Sequence, residues 1–370
     1  MTGPARAEET DQASAAFHTA LSQIGAATVA DALSLWHEVP AAQRAATASS
    51  WLRRAISLVM GRRRQSRDLA RAYYRLVRAL QTGTTVADPY HPEPEHVSLA
   101  DLRREFAELA GTYEPPSPDT TDQAATGDAG EADPAPEESD EGAPDEGLAS
   151  DPDEDQGDED WDRILVEELE GLREEEERIE REAEDELRTV LDALGSQNLD
   201  RRLGEIDDEQ SARDADRARE DAHRQAGAQQ AAAASRVAMN GGRSTTWNHM
   251  RRDRRALGYV RLSRTGTPCG WCAMLISRGP VYKSRESATF ADGDRYHDNC
   301  HCYAAPIFNW QQFQGSELTA LSREYADLWP KVTKGLSGKS AVSAWRRFIR
   351  QKQRAAAQEA RPTPSTAQEA

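Results

Sequence analysis

All four cysteines of the 370-residue chain lie within one short segment. They form two pairs, Cys269 with Cys272 in the motif T-P-C-G-W-C and Cys300 with Cys302 in the motif Y-H-D-N-C-H-C. Cysteines scattered at random would not leave the first 268 residues without one. His297 lies three residues before Cys300 and adds an imidazole to the same group. This segment therefore uses its thiols together.

The first chemistry that these residue types suit is zinc binding. A structural zinc ion takes four tetrahedral ligands, which are mostly thiolates and imidazoles. The gap of 27 residues between the two cysteine pairs is longer than in most compact zinc ribbons. Because the available ligands fill the shell and leave no open position for water, we expect a structural ion rather than a catalytic one. The candidate ligands are Cys269, Cys272, His297, Cys300 and Cys302.

Three other interpretations of the cysteines compete with zinc. C-G-W-C also suits a redox dithiol, because a helix starting after it lowers a thiol pKa, but no thioredoxin-like βαβ pattern surrounds it. Residues 268–272 match the P-C-x-x-C part of the nucleobase deaminase signature, which also needs an upstream H-x-E. The nearest upstream histidine, His249, is followed by Met250 and Arg251, so the general acid/base is missing. The remaining alternative is reduced thiols that pack a small core.

An alternative function for the same segment is a zinc-dependent nuclease or another DNA-processing enzyme. Asp292, Asp294, His297 and His301 are acidic and imidazole groups close to the cysteines, and nuclease sites cluster such residues. However, Asp-Gly-Asp turns are common on protein surfaces that bind no metal. We therefore expect a protein that is not an enzyme.

The charge of the chain is segregated, which its net value of -18 conceals. Residues 114–160 contain 19 acidic residues and no lysine or arginine, whereas residues 235–350 contain 19 basic and 8 acidic residues, a net of +11. A basic region of this kind binds phosphate backbones without sequence preference, so we expect non-specific DNA as a partner of the C-terminal region. The acidic middle would keep that region off nucleic acid until it is needed.

The composition also bears on location. No run approaches the roughly 20 apolar residues of a membrane span, and the N-terminus lacks a basic region followed by an apolar one. We therefore expect neither a membrane partner nor a signal peptide. Few cysteines in metal-type pairs suit a reducing cytoplasm.

Hydrophobic periodicity predicts a helical N-terminal domain over residues 12–113. The spacing gives one helix before Pro40, a second around residues 51–59 and a third around residues 69–80 that ends near Gly83. A short fourth helix follows Ser98, which is a good N-cap. Residues 44–78 contain ten arginines and one acid, so this face either meets phosphate or an acidic protein surface or is simply solvated.

The middle of the chain divides into two parts. Residues 114–160 have almost nothing to bury and should be disordered. Residues 161–239 predict a long charged helical segment whose apolar stripe suits a coiled coil or packing on a neighbour. The sequence N-G-G-R at residues 240–243 should stop this helix near residue 238.

Residues 240–350 predict a small α+β domain that carries the cysteines and histidines. Its elements are a helix starting at residues 244–249, a strand at 259–264, a helical turn at 273–277, a strand through residues 300–308 and an amphipathic helix at 341–350. Pro306 should confine the second strand to a sheet edge. Residues 351–370 should form a disordered tail. The fold class is thus mostly α, with a small α+β C-terminal domain and a long disordered acidic segment.

Several stretches at both ends of the chain share a familiar pattern. They are D-L-A-R-A-Y-Y-R-L-V-R at residues 68–78, A-L-G-Y-V-R at 256–261, T-P-C-G-W-C-A-M-L-I-S-R-G-P-V-Y at 267–282, H-D-N-C-H-C at 297–302 and G-L-S-G-K-S-A-V-S-A-W-R-R at 335–347.

Together these stretches resemble the MuF-like minor head (minor capsid) proteins of actinobacterial tailed phages and prophages. The resemblance implies a phage head morphogenesis protein that is incorporated near the portal during procapsid assembly. It also implies portal and other capsid proteins as partners, with the virion, and the host cytoplasm during assembly, as location. In some relatives the same chain carries a capsid maturation protease. The sequence contains no G-x-S-x-G elbow and no Ser/His constellation to support that activity.

Overall fold

The computed structural model describes residues 3–39, 44–91, 97–113, 164–165, 171–207, 211–263, 268–280, 296–298 and 300–359. The described residues are mostly helical, with a small antiparallel sheet near the C-terminus, so the predicted fold class is confirmed. The disorder predicted for residues 114–160 falls outside them. No helix in the described part of the chain is both long and apolar enough to cross a membrane.

The elements of the described residues are numbered here in chain order. The helices are α1 (Pro4–His37), α2 (Arg44–Thr82), α3 (Leu99–Ala110), α4 (Leu172–Asp192), α5 (Asn198–Gly204), α6 (Ala212–Arg252), α7 (Gly270–Ile276), α8 (Trp310–Gly315), α9 (Ala320–Val332) and α10 (Gly338–Glu359). The strands are β1 (Thr85–Val86), β2 (Ile164–Leu165), β3 (Gly258–Leu262) and β4 (Tyr303–Ile307). A π-helical turn, Ala193–Gln197, joins α4 to α5, and a 3-10 turn, Glu317–Thr319, precedes α9.

The three long helices α1, α2 and α6 pack together and form the body of the molecule. On the inner side of α1 and α2, the ring of Phe17 stacks on that of Tyr73 with centroids 4.4 Å apart. The sequence predicted two helices around Gly61, but α2 continues through this residue. That prediction was wrong because packing of α2 on both sides of Gly61 stabilises the helix by more than the low helix propensity of glycine costs. Gly61 itself lies on the outer side of α2, where nothing is within 4 Å of a Cβ.

Helix α6 also continues where the sequence predicted a stop. It runs through Asn240, Gly241 and Gly242 to Arg252, so both the predicted end near residue 238 and the predicted helix start at residues 244–249 were wrong. The two glycines face α2. A Cβ on Gly241 would lie 2.5 Å from the backbone oxygen of Arg63, and one on Gly242 would lie 2.6 Å from that of Ser66. The glycines therefore serve close helix packing rather than termination, and the predicted domain start at residue 240 lies inside α6.

The segment after the acidic stretch differs from the long helix predicted from residue 161. Ile164 and Leu165 form β2, which pairs in parallel with β1, and α4 begins only at Leu172. The predicted apolar stripe exists, and it packs inside this molecule against α2 and α6. Its buried members include Ile179, Leu187 and Leu191. The helix therefore uses the packing alternative of the prediction.

The C-terminal part assembles around a two-stranded antiparallel sheet. β3 pairs with β4 in the register Gly258 with Ile307 through Leu262 with Tyr303, and Tyr259 lies opposite Pro306. Both strands are edges, which is where a proline is tolerated. Helices α7, α9 and α10 cover the sheet region, and their apolar side chains belong to the same core as the inner faces of α1 and α2. Helix α10 extends to Glu359, so the predicted disordered tail is wrong for residues 351–359; the remainder lies outside the described residues.

Candidate metal centre

The first cysteine pair is placed by the start of α7. Cys269 is the N-cap, and its sulfur accepts a hydrogen bond from the Cys272 backbone N–H at 3.4 Å. Its carbonyl oxygen accepts from the Ala273 N–H at 2.8 Å, which begins the helix. Because an N-cap and the residue three positions later lie on the same side of the first turn, the C-x-x-C spacing brings both thiols together.

The second pair lies immediately before β4 in an extended segment. Cys300 and Cys302 are buried, and the intervening His301 is exposed. This alternation is the one predicted for an i,i+2 pair, although β4 itself begins one residue later, at Tyr303. Helix α6 holds this segment in place, since Arg243 donates to the carbonyl oxygen of Cys300 at 2.6 Å.

All five predicted ligands converge in one place. They form two triads that share Cys272, and within each triad the candidate ligand atoms lie within 4.8 Å of one another. The Nε2 atom of His297 is 3.0 Å from the sulfur of Cys269 and 3.5 Å from that of Cys272. The sulfurs of Cys272 and Cys300 are also 3.5 Å apart. The triads are Cys269, Cys272 and His297, and Cys272, Cys300 and Cys302.

The orientation of His297 suits a metal ligand. Its Nδ1 atom lies 2.7 Å from the backbone oxygen of Asp298. A carbonyl oxygen can only accept, so Nδ1 carries the proton and, in a neutral imidazole, the lone pair of Nε2 points at the sulfurs. The carboxylate of Asp298 in turn accepts from Arg236 of α6 at 2.7 Å, which fixes the turn that carries the histidine.

The thiols influence one another strongly. Hydrogen bonds from the Cys272 thiol and from His297 lower the pKa of Cys269 to about 4, and the same contact with Cys269 raises the pKa of His297 to about 9. Hydrogen bonds with Cys272 and Cys302 also lower the pKa of Cys300. In contrast, the pKa of Cys272 is raised by its neighbouring thiols, and that of Cys302 is raised to about 12. Neighbouring thiolates repel, so only a cation among them would let all four ionise together.

Two buried arginines beside the thiols were not identified from the sequence. Arg243 of α6 and Arg261 of β3 lie over the ring of Tyr296, with their guanidinium carbons 4.1 and 4.0 Å from its centroid. Burial lowers the pKa of Arg261, but Tyr296 and the thiols more than offset this and the net shift is upward. These positive charges favour thiolates in the cluster. The alternation of residues predicted the strand, and all five residues of β3, Arg261 included, are buried.

These observations test whether the residues fit a metal ion. In a tetrahedral site with Zn–S bonds of about 2.3 Å, neighbouring sulfurs are about 3.8 Å apart. The 3.5 Å separation of Cys272 and Cys300 is close to that edge. The donors are soft thiols and an imidazole, and three of the four thiols are buried, which is typical of a structural site. The cluster can therefore bind a metal ion of the thiophilic, tetrahedral type.

Of the four residues that motivated a nuclease, His297 belongs to this cluster. Asp292 and Asp294 lie outside the described residues. The side chain of His301 is exposed, and its backbone oxygen lies 2.8 Å from Nε2 of His18 on α1. In the part of the chain that the structure describes, the groups able to hold a metal ion are the two cysteine triads.

Comparison with known protein families gives a match to part of the chain. Residues 185–328 match the family model described as VG15 protein, a stretch that runs from α4 into α9 and contains all five candidate ligands. No protein with curated annotation and no solved structure matches the chain. The matched stretch is thus similar to a viral protein family, and this similarity indicates a phage-derived protein.

Proposed function

We propose that the cysteine cluster holds a structural zinc ion that cross-links the C-terminal part of the chain. This proposal rests on the two triads of candidate ligands, which share Cys272 and together contain all five residues. Such an ion would join three separate pieces of chain, namely the start of α7, the turn at residues 296–298 and the segment before β4. When bound, zinc supplies cross-linking free energy here, because binding free energy becomes folding free energy.

We infer further that the protein is a minor head protein of a tailed phage, assembled near the portal and without enzymatic activity. The viral family match and the resemblance to MuF-like proteins support this role. The filled ligand shell supports a scaffolding role for the metal, since a catalytic zinc keeps one position open. Portal and other capsid proteins are the proposed partners, and the virion is the proposed location.

Metal content tests the first proposal. The purified full-length chain should contain one zinc ion, and His297→Gln should lower its zinc affinity together with its melting temperature. His301→Gln is the matched control, because this histidine lies between two of the ligands but its side chain is exposed. Cys272→Ser should have the largest effect, since this sulfur belongs to both triads. Equal zinc content in all four proteins would contradict the assignment.

Virion composition tests the second proposal. Mass spectrometry of purified particles should detect the chain at low copy number relative to the major capsid protein. An amber mutation in its gene should reduce the yield of filled heads, and the chain supplied in trans should restore it. Particles that lack the protein and form normally without it would refute the head role, while leaving the zinc assignment untouched.

A further inference from the structure

Helix α10 has two faces of opposite character. Ala341, Trp345 and Ile349 follow one another at intervals of four residues and are buried. The ring of Trp345 contacts two aromatic rings of α9, those of Tyr325 at 5.6 Å and Trp329 at 5.2 Å. This packing fixes the rotation of α10 about its own axis, and it therefore fixes which side chains face outward.

The outward face carries a line of positive charge, which we call the α10 basic stripe. At about 100° per residue, its members fall within an arc of about 100° opposite the buried tryptophan. All of them are exposed, and none forms an ion pair with any residue that the structure describes. Lys352 lies on another side of the helix and pairs with Glu324 of α9. The members of the stripe are Lys339, Arg346, Arg347, Arg350 and Arg354.

Some exposed arginines elsewhere on the surface are neutralised locally. On the N-terminal half of α6, each of Arg217, Arg219 and Arg224 pairs with an aspartate three residues earlier. In contrast, α10 contains no acidic residue before Glu359. The α10 basic stripe therefore concentrates positive charge on one helix face without an acidic residue on the same face to compensate it.

The stripe also has a defined position relative to the rest of the fold. Gly270, in the C-x-x-C turn, approaches α10 so closely that a Cβ there would lie 3.0 Å from Cγ of Arg346. Gln353 donates to the backbone oxygen of Pro268 at 3.0 Å. Two contacts thus tie the helix to the turn that carries the first cysteine pair, so the backbone that presents the stripe has a defined position relative to this turn.

We infer that the α10 basic stripe binds the phosphate backbone of a double-stranded nucleic acid without sequence preference. From Lys339 to Arg354 the helix advances about 22 Å, a length along which one strand of a duplex presents a phosphate about every 3.4 Å. Four of the five side chains are arginines, whose planar guanidinium groups donate to two phosphate oxygens at once. A line of such groups along one helix face matches a regular line of phosphates better than it matches the irregular charge of an acidic protein. The inference is independent of the zinc ion and of the role in the virion.

The test is duplex binding by the full-length protein, measured by fluorescence anisotropy with a labelled DNA of random sequence. The variant replaces Arg347, Arg350 and Arg354 by glutamine, and leaves Arg346 in contact with the cysteine turn. A matched control replaces Arg217, Arg219 and Arg224 by glutamine, which changes the net charge by the same amount on another exposed surface. Melting temperatures of all proteins verify that each remains folded.

We expect the wild-type affinity to fall steeply between about 50 mM and about 200 mM salt, since phosphate neutralisation releases counterions. The stripe variant should bind at least about tenfold more weakly at low salt and lose about 2.7 from the logarithmic salt slope, which is about 0.9 for each of three phosphate contacts. The control variant should match the wild type. Equal losses in both variants, absence of binding at low salt, or preference for polyglutamate over duplex would overturn the inference.

Discussion

Two arginine-rich helices, α2 and α10, look alike in sequence and differ completely in structure. α2 carries arginines at intervals of four residues or nearly so, and these side chains point into the protein. The arginines of α10 point into solvent. Four of these arginines on α2 are buried and Arg67 is partly buried. We call the set the α2 arginine ladder: Arg63, Arg67, Arg71, Arg75 and Arg78.

The difference lies in the acidic groups that face each helix. Glu176 and Glu180 of α4 meet the first rungs of the ladder, at 3.1 Å from Arg67 and 2.9 Å from Arg63 respectively. The later rungs pair with carboxylates from three further places in the sequence. Those carboxylates are Asp88 after β1, Glu105 of α3 and Asp253 at the end of α6.

Arg78, the last arginine of the α2 arginine ladder, shows how completely the positive charge is compensated. Arg78 and Asp253 are both fully buried and lie 2.6 Å apart. The same carboxylate accepts a hydrogen bond from the hydroxyl of Tyr74 at 2.9 Å, and Arg78 also donates to the backbone oxygen of Thr84. The acidic protein surface that the sequence analysis proposed as one partner of this basic face is thus supplied by the chain itself.

The largest expected effect comes from breaking that last rung. Arg78→Met should cost about 3–5 kcal/mol of unfolding free energy, because it leaves Asp253 buried without its cation. Chemical denaturation of the full-length protein measures the loss. Arg347→Met on the α10 basic stripe is the control, and it should change stability by less than about 0.5 kcal/mol. Similar values for the two variants would contradict the division between a structural and an exposed arginine helix.

The second-largest effect is expected on the pH dependence of the free energy of unfolding, through the buried His249 beside the α2 arginine ladder. Burial, together with Arg71, lowers the pKa of His249 from its usual 6.5 to about 3; Arg75 acts in the same direction and Asp88 opposes them. Between these two values the unfolded state binds more protons than the folded state, so the stability contributed by the neutral imidazole is lost as pH falls from 6.5 towards 3.

His249→Gln should therefore flatten the decline of unfolding free energy with falling pH in that window. The comparison with wild type is needed because Glu176 lies only 3.6 Å from His249 and titrates in the same window. Burial raises the pKa of Glu176, so its contribution increases the free energy of unfolding as pH falls, whereas that of His249 decreases it. Parallel curves for the two proteins would show that His249 does not titrate on unfolding. Duplex binding by the α10 basic stripe should not change between the two.

A smaller effect tests the close packing that brings α6 against the ladder. Gly241→Ala places a Cβ against the backbone of Arg63, and we expect a loss of about 1–3 kcal/mol from overpacking. Gly204→Ala is a suitable control, because nothing lies within 4 Å of a Cβ at that position. Thermal unfolding compares the two. Equal melting temperatures of the two variants would show that α2 and α6 accommodate the added methyl group without loss of stability.

The smallest effect is expected from salt on stability. Buried pairs are screened much less than exposed ones, so raising salt from about 50 mM to about 500 mM should leave the contribution of the ladder almost unchanged. The same change should abolish duplex binding by the α10 basic stripe. A melting temperature that falls in step with duplex affinity would mean that the ladder is accessible to solvent ions.

Local features of this protein follow directly from its sequence. The C-x-x-C turn, the burial of Cys300 and Cys302 on either side of an exposed His301, and the start of α3 at Ser98 all depend on neighbouring residues. Ser98 caps α3 with the predicted geometry, and Asp101 completes a capping box. Such features were predictable because backbone geometry over a few residues decides them.

Other features required the tertiary structure, since their causes lie far away in the chain. The continuation of α6 through Gly241 and Gly242 depends on the close approach of α2, which cannot be predicted from the glycine pair and its neighbours in sequence. The burial of Arg243 and Arg261 depends on Tyr296 and the thiols. The sequence alone determined which residues form the candidate metal centre and that both helices are basic. Only the fold decided that the α2 arginine ladder is neutralised inside and that the arginines of α10 are exposed, because the carboxylates that pair with the ladder come from four separate elements.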